Sequence, residues 1–163
     1  MPQIFQGGCS CGTVRYRLNS EPMFVHCCHC RDCQRQAGSA FVINALIETD
    51  RITLLSGAPE PVAMRTDSGR PHDIYRCPSC RGALWSDYGR RAMRFVRVGT
   101  LDNPRGIEPD VHIFTRSKLP WVRLPESARA FEVYYDMKKE WPAESLERRR
   151  AILGFENPTS PIG

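Results

Sequence analysis

Polar and apolar side chains alternate through residues 13–18, which predicts a strand with Val14, Tyr16 and Leu18 facing inward. Gly7 and Gly8 read as the turn before it. Cys9 and Cys11, two apart, would then share one face of an extended segment, because the strand repeat is two. Residues 22–27 read as a second strand and 34–37 as a short helical turn closed by Gly38. The apolar run 39–47 and the shorter run 52–55 read as further strands, with Pro59 and Pro61 marking a connection. Residues 84–88 and 93–98 predict a hairpin turning at Gly89-Arg90-Arg91, preceded by a strand over 72–76 and followed by one over 110–114. After Pro120 the texture changes. Residues 131–135 predict an edge strand. Pro142 to Leu153 predicts a weakly amphipathic helix, with acids early, Arg148-Arg149-Arg150 late and Gly154 after its end. The proline-rich stretch 157–161 is expected to be disordered. The expected class is mainly β with a short C-terminal helix.

The chain has 163 residues, enough for one domain with a tail, and its 13 Pro and 12 Gly suit short strands between many turns. No run approaches the roughly 20 apolar residues of a membrane span, so no membrane partner is expected. The first residues lack the basic and apolar regions of a secretory signal, so a cytoplasmic location with reduced thiols is expected. That compartment favours metal-binding or catalytic cysteines over a disulfide framework. The formal charge of +5 hints at nucleic acid, but the basic residues are scattered rather than striped. Seven thiolates with two zinc ions would add −7 + 4 = −3 and leave about +2. Nucleic acid is therefore not an expected partner, and the oligomeric state is not legible.

Eight cysteines change the picture most. Seven fall in three clusters: Cys9 and Cys11; Cys28, Cys30 and Cys33; Cys77 and Cys80. Thiols one or two residues apart converge on a metal more readily than they bridge each other, with Zn–S near 2.3 Å. Seven ligands make one closed tetrahedral site and one site a ligand short. Spacing alone leaves two partitions open. Cys9/Cys11 can join Cys77/Cys80 and leave a three-thiol nest, or Cys30/Cys33 can join Cys77/Cys80 as a zinc ribbon.

The stretch from Gly7 to Tyr16, the run Cys28-His29-Cys30-Arg31-Asp32-Cys33-Gln34-Arg35-Gln36-Ala37-Gly38 and the run Cys77-Pro78-Ser79-Cys80 occur in an order that resembles one family. So do Gly99-Thr100-Leu101-Asp102 and the segment from His112 to Trp121. The resemblance is to the glutathione-dependent formaldehyde-activating enzymes, which include centromere-protein-V-like proteins, and it spans roughly residues 4–125. Arg81 departs from it, standing where Gly is common. The resemblance implies a β-tent fold of small antiparallel sheets around zinc, with a domain over residues 1–125 and an extension over 126–163. It implies a structural zinc on Cys9, Cys11, Cys77 and Cys80, and a second, functional zinc on Cys28, Cys30 and Cys33, open to partial occupancy. It also implies a carbon–sulfur lyase run in reverse, joining glutathione to formaldehyde as S-(hydroxymethyl)glutathione.

A metal on three thiolates keeps a position for a substrate thiol, whose pKa it lowers. Arg31 and Arg35 beside the triad are candidate partners for the carboxylates of a glutathione-like thiol. Their alternative is plain surface charge. His112 is a candidate pocket residue or proton shuttle. His29 should point away from the metal its neighbours share. His26 and His72 read as strand residues and Trp121 as a core anchor. Cys27 could close the triad with a fourth thiolate, which would argue for a non-catalytic zinc module. A binding module for protein or nucleic acid, and a reservoir exchanging zinc with thiols, stand as alternatives to the enzyme.

Overall fold

A computed structural model describes residues 3–66 and 69–153. The fold is mainly β, in two sheets, with a short C-terminal helix. The smaller sheet has three antiparallel strands in the order β1 (Phe5–Gly8), β2 (Arg15–Leu18), β5 (Ile52–Ser56). The larger has seven. Its order is β10 (Val111–Ile113), β3 (Phe24–Cys28), β4 (Val42–Glu48), β9 (Met93–Arg97), β8 (Ala83–Ser86), β7 (Asp73–Arg76), β6 (Glu60–Ala63). Every pairing is antiparallel except β10 with β3. Helix α1 (Arg31–Ala37) follows β3. Helices α2 (Met137–Glu140) and α3 (Ala143–Leu153) close the described chain.

The alternation in β2 does what its pattern dictates: Val14, Tyr16 and Leu18 are fully buried. They pack with Leu84, Trp85 and Val96 in a first core between the sheets. Tyr16 meets Trp85 edge-on at 5.4 Å, an aromatic geometry that adds about 1 kcal/mol beyond burial. The expected Gly7-Gly8 turn is instead the end of β1. A Cβ on Gly7 would lie 2.5 Å from the Thr100 carbonyl oxygen and 2.7 Å from the Tyr16 hydroxyl, so glycine is what lets that backbone approach.

The second core holds Phe24, Leu46, Met93 and two cysteines of the triad, together with Tyr135 and Trp141 of the C-terminal extension. The strand expected over 131–135 is absent. Past the bridge of Ala130 to His112, residues 131–133 meet residues 112–116 only through irregular backbone hydrogen bonds, such as Phe114 N–H to the Val133 carbonyl at 2.8 Å. Tyr134 and Tyr135 stack at 4.6 Å, and Tyr135 hydrogen-bonds His26, so these aromatics fill the core rather than pair as a strand. The predicted helix forms as α3. Its Gly154 stop and the stretch 157–161 lie outside the described residues.

Two contacts dock α3. Ser145 donates to the Met23 carbonyl at 2.6 Å. Arg148 clamps Glu48 through two bonds of 2.7 Å. Burial pushes the Glu48 carboxyl up, but the Arg148 guanidinium, with help from the backbone N–H of Glu48 and the charge of Arg51, brings the group below its usual range. A carboxyl depressed in the folded state contributes fully above its unfolded pKa, and that contribution disappears as pH falls through the folded value. Arg148→Ala should therefore cost about 2–3 kcal/mol at neutral pH and much less on the acid side of the glutamate range, read as urea midpoints across pH.

Candidate metal centre

The chain between β1 and β2 is a tight turn, not the extended segment the spacing suggested. The Gly12 N–H donates to the Cys9 carbonyl at 3.1 Å. This turn still aims both thiols one way: Cys9 and Cys11 sulfurs lie 3.5 Å apart. The turn between β7 and β8 is a matching knuckle. Cys77 N–H donates to the Gly82 carbonyl, and Arg81 N–H donates to the Cys77 carbonyl, each at 3.0 Å. Arg81 adopts the left-handed conformation, φ 63°, that explains why glycine is common there. The two turns meet. Cys11 and Cys77 sulfurs are 3.7 Å apart, and all four sulfurs of Cys9, Cys11, Cys77 and Cys80 lie within 4.8 Å of one another.

That arrangement fits a tetrahedral thiolate metal, whose S–S edges would be about 3.7 Å for Zn–S of 2.3 Å. Backbone N–H groups also face the sulfurs. Val14 donates to Cys9 at 3.2 Å, which supports a charged thiolate. The Thr13 hydroxyl, 3.1 Å from Cys11, pulls that thiol down to about 6.

Cys28, Cys30 and Cys33 form a separate group within 4.8 Å, so the ribbon partition is not the one the fold assembles. Cys28 ends β3, and Cys33 lies in the first turn of α1. Between them Cys30 is the helix N-cap, its sulfur accepting from the Cys33 N–H at 3.3 Å. Cys28 and Cys33 are buried, and Cys30 is partly exposed. Hydrogen bonding within the triad pushes Cys28 up and Cys30 down. Three clustered thiols share protons this way because three anions so close need a cation to hold them. The donor set and its separation from the other cluster fit a zinc-class ion with an open position. Cys27 does not join the triad. Adjacent strand residues face opposite ways, and Cys27 groups with His29 and His112.

Two cavities flank α1. One, of about 520 Å³, is lined by Phe41, Ile74, Arg76 and Arg97 among others. The other, of about 650 Å³, is lined by Arg31, Gln34, Arg35, Phe41, Leu119 and Trp121. Trp121 is not the core anchor its size suggested: it is 69% exposed on this groove. Gln34 ties α1 to the far wall, donating to the carbonyls of His29 at 2.7 Å and Ser117 at 3.0 Å.

The family model for glutathione-dependent formaldehyde-activating enzymes matches residues 4–117. The chain belongs to that family. At family level this places it among enzymes that activate formaldehyde with glutathione. A Halomonas elongata relative, named by inference as a glutathione-dependent formaldehyde-activating enzyme, is 28% identical over 94% of this chain and 98% of its own. A Penicillium rubens relative with the same inferred name is 28% identical over 69% of this chain and 63% of its own. A solved Rhodobacter sphaeroides protein aligns over 62% of this chain and 93% of its own, at 21% identity and a TM-score of 0.44. Among the described residues no helix is long and apolar enough to cross a membrane.

Three residues within electrostatic reach of the Cys28, Cys30 and Cys33 group went unassigned from sequence, His72 having been read only as a strand residue. His72 is buried just before β7. Its ring stacks on Tyr88 at 3.9 Å, and neither ring nitrogen has a hydrogen-bond partner among the described residues. Desolvation pushes His72 down to about 4, and its charge also interacts with Arg97 and Cys30. Tyr88 holds a left-handed backbone, φ 49°. Arg97 is buried, donates to Asn44 and brings a positive charge within reach of Cys33. Each comes from a strand or turn far along the chain, so no local motif announced them.

Proposed function

We propose that the chain joins a small thiol of the glutathione type to formaldehyde at the Cys28–Cys30–Cys33 triad. The observation that supports this most is the triad's separation from Cys27, which leaves three thiols grouped with no fourth ligand among the described residues. In this reading Cys9, Cys11, Cys77 and Cys80 hold a structural zinc. Cys28, Cys30 and Cys33 hold the second. Zinc bound at the triad would supply an open position that favours the substrate in its thiolate form.

The chain's own residues do the rest. Arg31 and Arg35, both exposed on the 650 Å³ groove, pair with the carboxylates of the thiol. The exposed Trp121 ring gives that groove an apolar wall. The position of α1 then brings the thiol of a seated ligand toward Cys30, the partly exposed member of the triad. In the reaction the thiolate sulfur forms a bond to the formaldehyde carbon. The carbonyl π pair moves to oxygen, which takes up the proton the thiol released. The product is a hemithioacetal, and the reverse step is a carbon–sulfur lyase reaction. The unit over 1–125 carries the site in a cytoplasmic setting. Tyr135 and Trp141 of the extension help bury Cys28 and Cys33.

Exchange NMR tests this with glutathione and formaldehyde at equilibrium. The wild-type protein should speed exchange between free glutathione and the hemithioacetal above the uncatalysed rate; unchanged exchange overturns the reading. Arg31→Ala and Arg35→Ala should each raise KM roughly fivefold with kcat retained, as losing about 1 kcal/mol from a partly exposed charge pair would. An unchanged KM in both would leave these arginines as surface charge.

A further inference from the structure

A third group of ligand-type side chains lies outside the site described above. We propose that Cys27, His29 and His112 form a separate divalent-metal site of the zinc class, open at its fourth position. Strand geometry brings the three together. Cys27 and His29 are two apart, so they leave the end of β3 on the same side. His112 is the parallel partner of Cys27 in the β10–β3 ladder, which sets it beside them. The Cys27 sulfur lies 3.6 Å from His29 Nε2, and His29 Nε2 lies 3.1 Å from His112 Nδ1. A tetrahedral ion with Zn–N near 2.0 Å and Zn–S near 2.3 Å has edges of about 3.3 Å between nitrogens and about 3.5 Å between nitrogen and sulfur. All three ligand atoms fall within 4.8 Å of one another.

The atoms an ion would take are the ones these side chains turn toward one another, with His29 Nε2 between the Cys27 sulfur and His112 Nδ1. His29 is fully buried, yet its Nδ1 has no hydrogen-bond partner among the described residues, and its Nε2 faces only Cys27 and His112. A histidine is a costly way to fill a core unless its nitrogens are used. Lys118, whose charge is felt at His29, turns its ammonium to the Leu119 and Val122 carbonyls instead. Two imidazoles and one thiolate are a borderline donor set, suited to Zn²⁺ and unsuited to Mg²⁺ or Ca²⁺. Cys27 and His29 are buried while His112 is partly exposed, so the fourth position opens on the His112 side.

The test is metal content after loading the full chain with excess Zn²⁺ and desalting, read by mass spectrometry. Cys27→Ser and His112→Asn should each carry one ion fewer than wild type. Cys30→Ser should also lose one, and the pair Cys27→Ser with Cys30→Ser should lose two. Equal contents in wild type and Cys27→Ser overturn the proposal. A loss in Cys27→Ser but not in His112→Asn also overturns it, because Cys27 would then belong to the triad. If Cys27→Ser fails to fold, His112→Asn decides, since that side chain is partly exposed. Loading with Co²⁺ gives a second reading: wild type minus His112→Asn should show a tetrahedral cobalt spectrum with sulfur-to-metal charge transfer, and a flat difference overturns the site. None of these readings depends on whether thiol–formaldehyde exchange is accelerated.

Discussion

Cys77→Ser should leave the chain largely unfolded at 37 °C, while Cys30→Ser should melt close to wild type. The difference follows from what each cluster joins. Cys9 and Cys11 lie between β1 and β2 of the small sheet, and Cys77 and Cys80 between β7 and β8 of the large one. An ion held by all four thiols would therefore staple one sheet to the other across the first core, of which Cys9 and Cys77 are themselves part. Structural zinc contributes on the order of 10 kcal/mol to folding, and a domain this size has about 5–15 kcal/mol in total. Losing one of four ligands removes much of that, and a serine hydroxyl at the fully buried Cys77 is left poorly satisfied. Thermal melts with and without a chelator check it. Comparable, large losses in both variants would sink the division of roles.

How much of this was visible beforehand depended on whether the signal was local. β2 was legible because one face of it meets the core, so the period of two survives in its residues, whereas the β8–β9 hairpin, without that alternation, was legible from two apolar runs on either side of Gly89. β4 reads only as an apolar run, since six of its seven residues are buried. The Cys9/Cys11 and Cys77/Cys80 ligand pairs announced themselves through spacing, but spacing could not say which pairs meet. That needed the contact of the two sheets. Cys27 and His29 share a side by simple parity, and this was open to inspection. His112 was not, because its parallel pairing with Cys27 joins residues 85 apart through tertiary packing. Trp121 and the aromatics of 131–135 were misread for one reason. Large apolar side chains say that surface will be buried, without saying whether by the core, by an irregular segment or by something that enters a groove.

Cys30→Ser is also the cleanest probe of the chemistry, and it should return thiol–formaldehyde exchange to the uncatalysed rate. The choice of residue matters. Cys28 and Cys33 are buried in the second core, so serine at either confounds a lost ligand with a buried hydroxyl. Cys30 is the N-cap of α1, where its sulfur accepts the Cys33 N–H, and serine is among the best N-cap residues known. The helix, its Gly38 stop and the groove beside it should therefore survive, at a cost under about 1 kcal/mol. The variant keeps Arg31 and Arg35 in place while removing one thiolate of three. Glutathione should still bind in the groove, with calorimetry showing an affinity near that of wild type, while exchange falls to background. A folded Cys30→Ser protein that still accelerates exchange would remove the triad from the reaction.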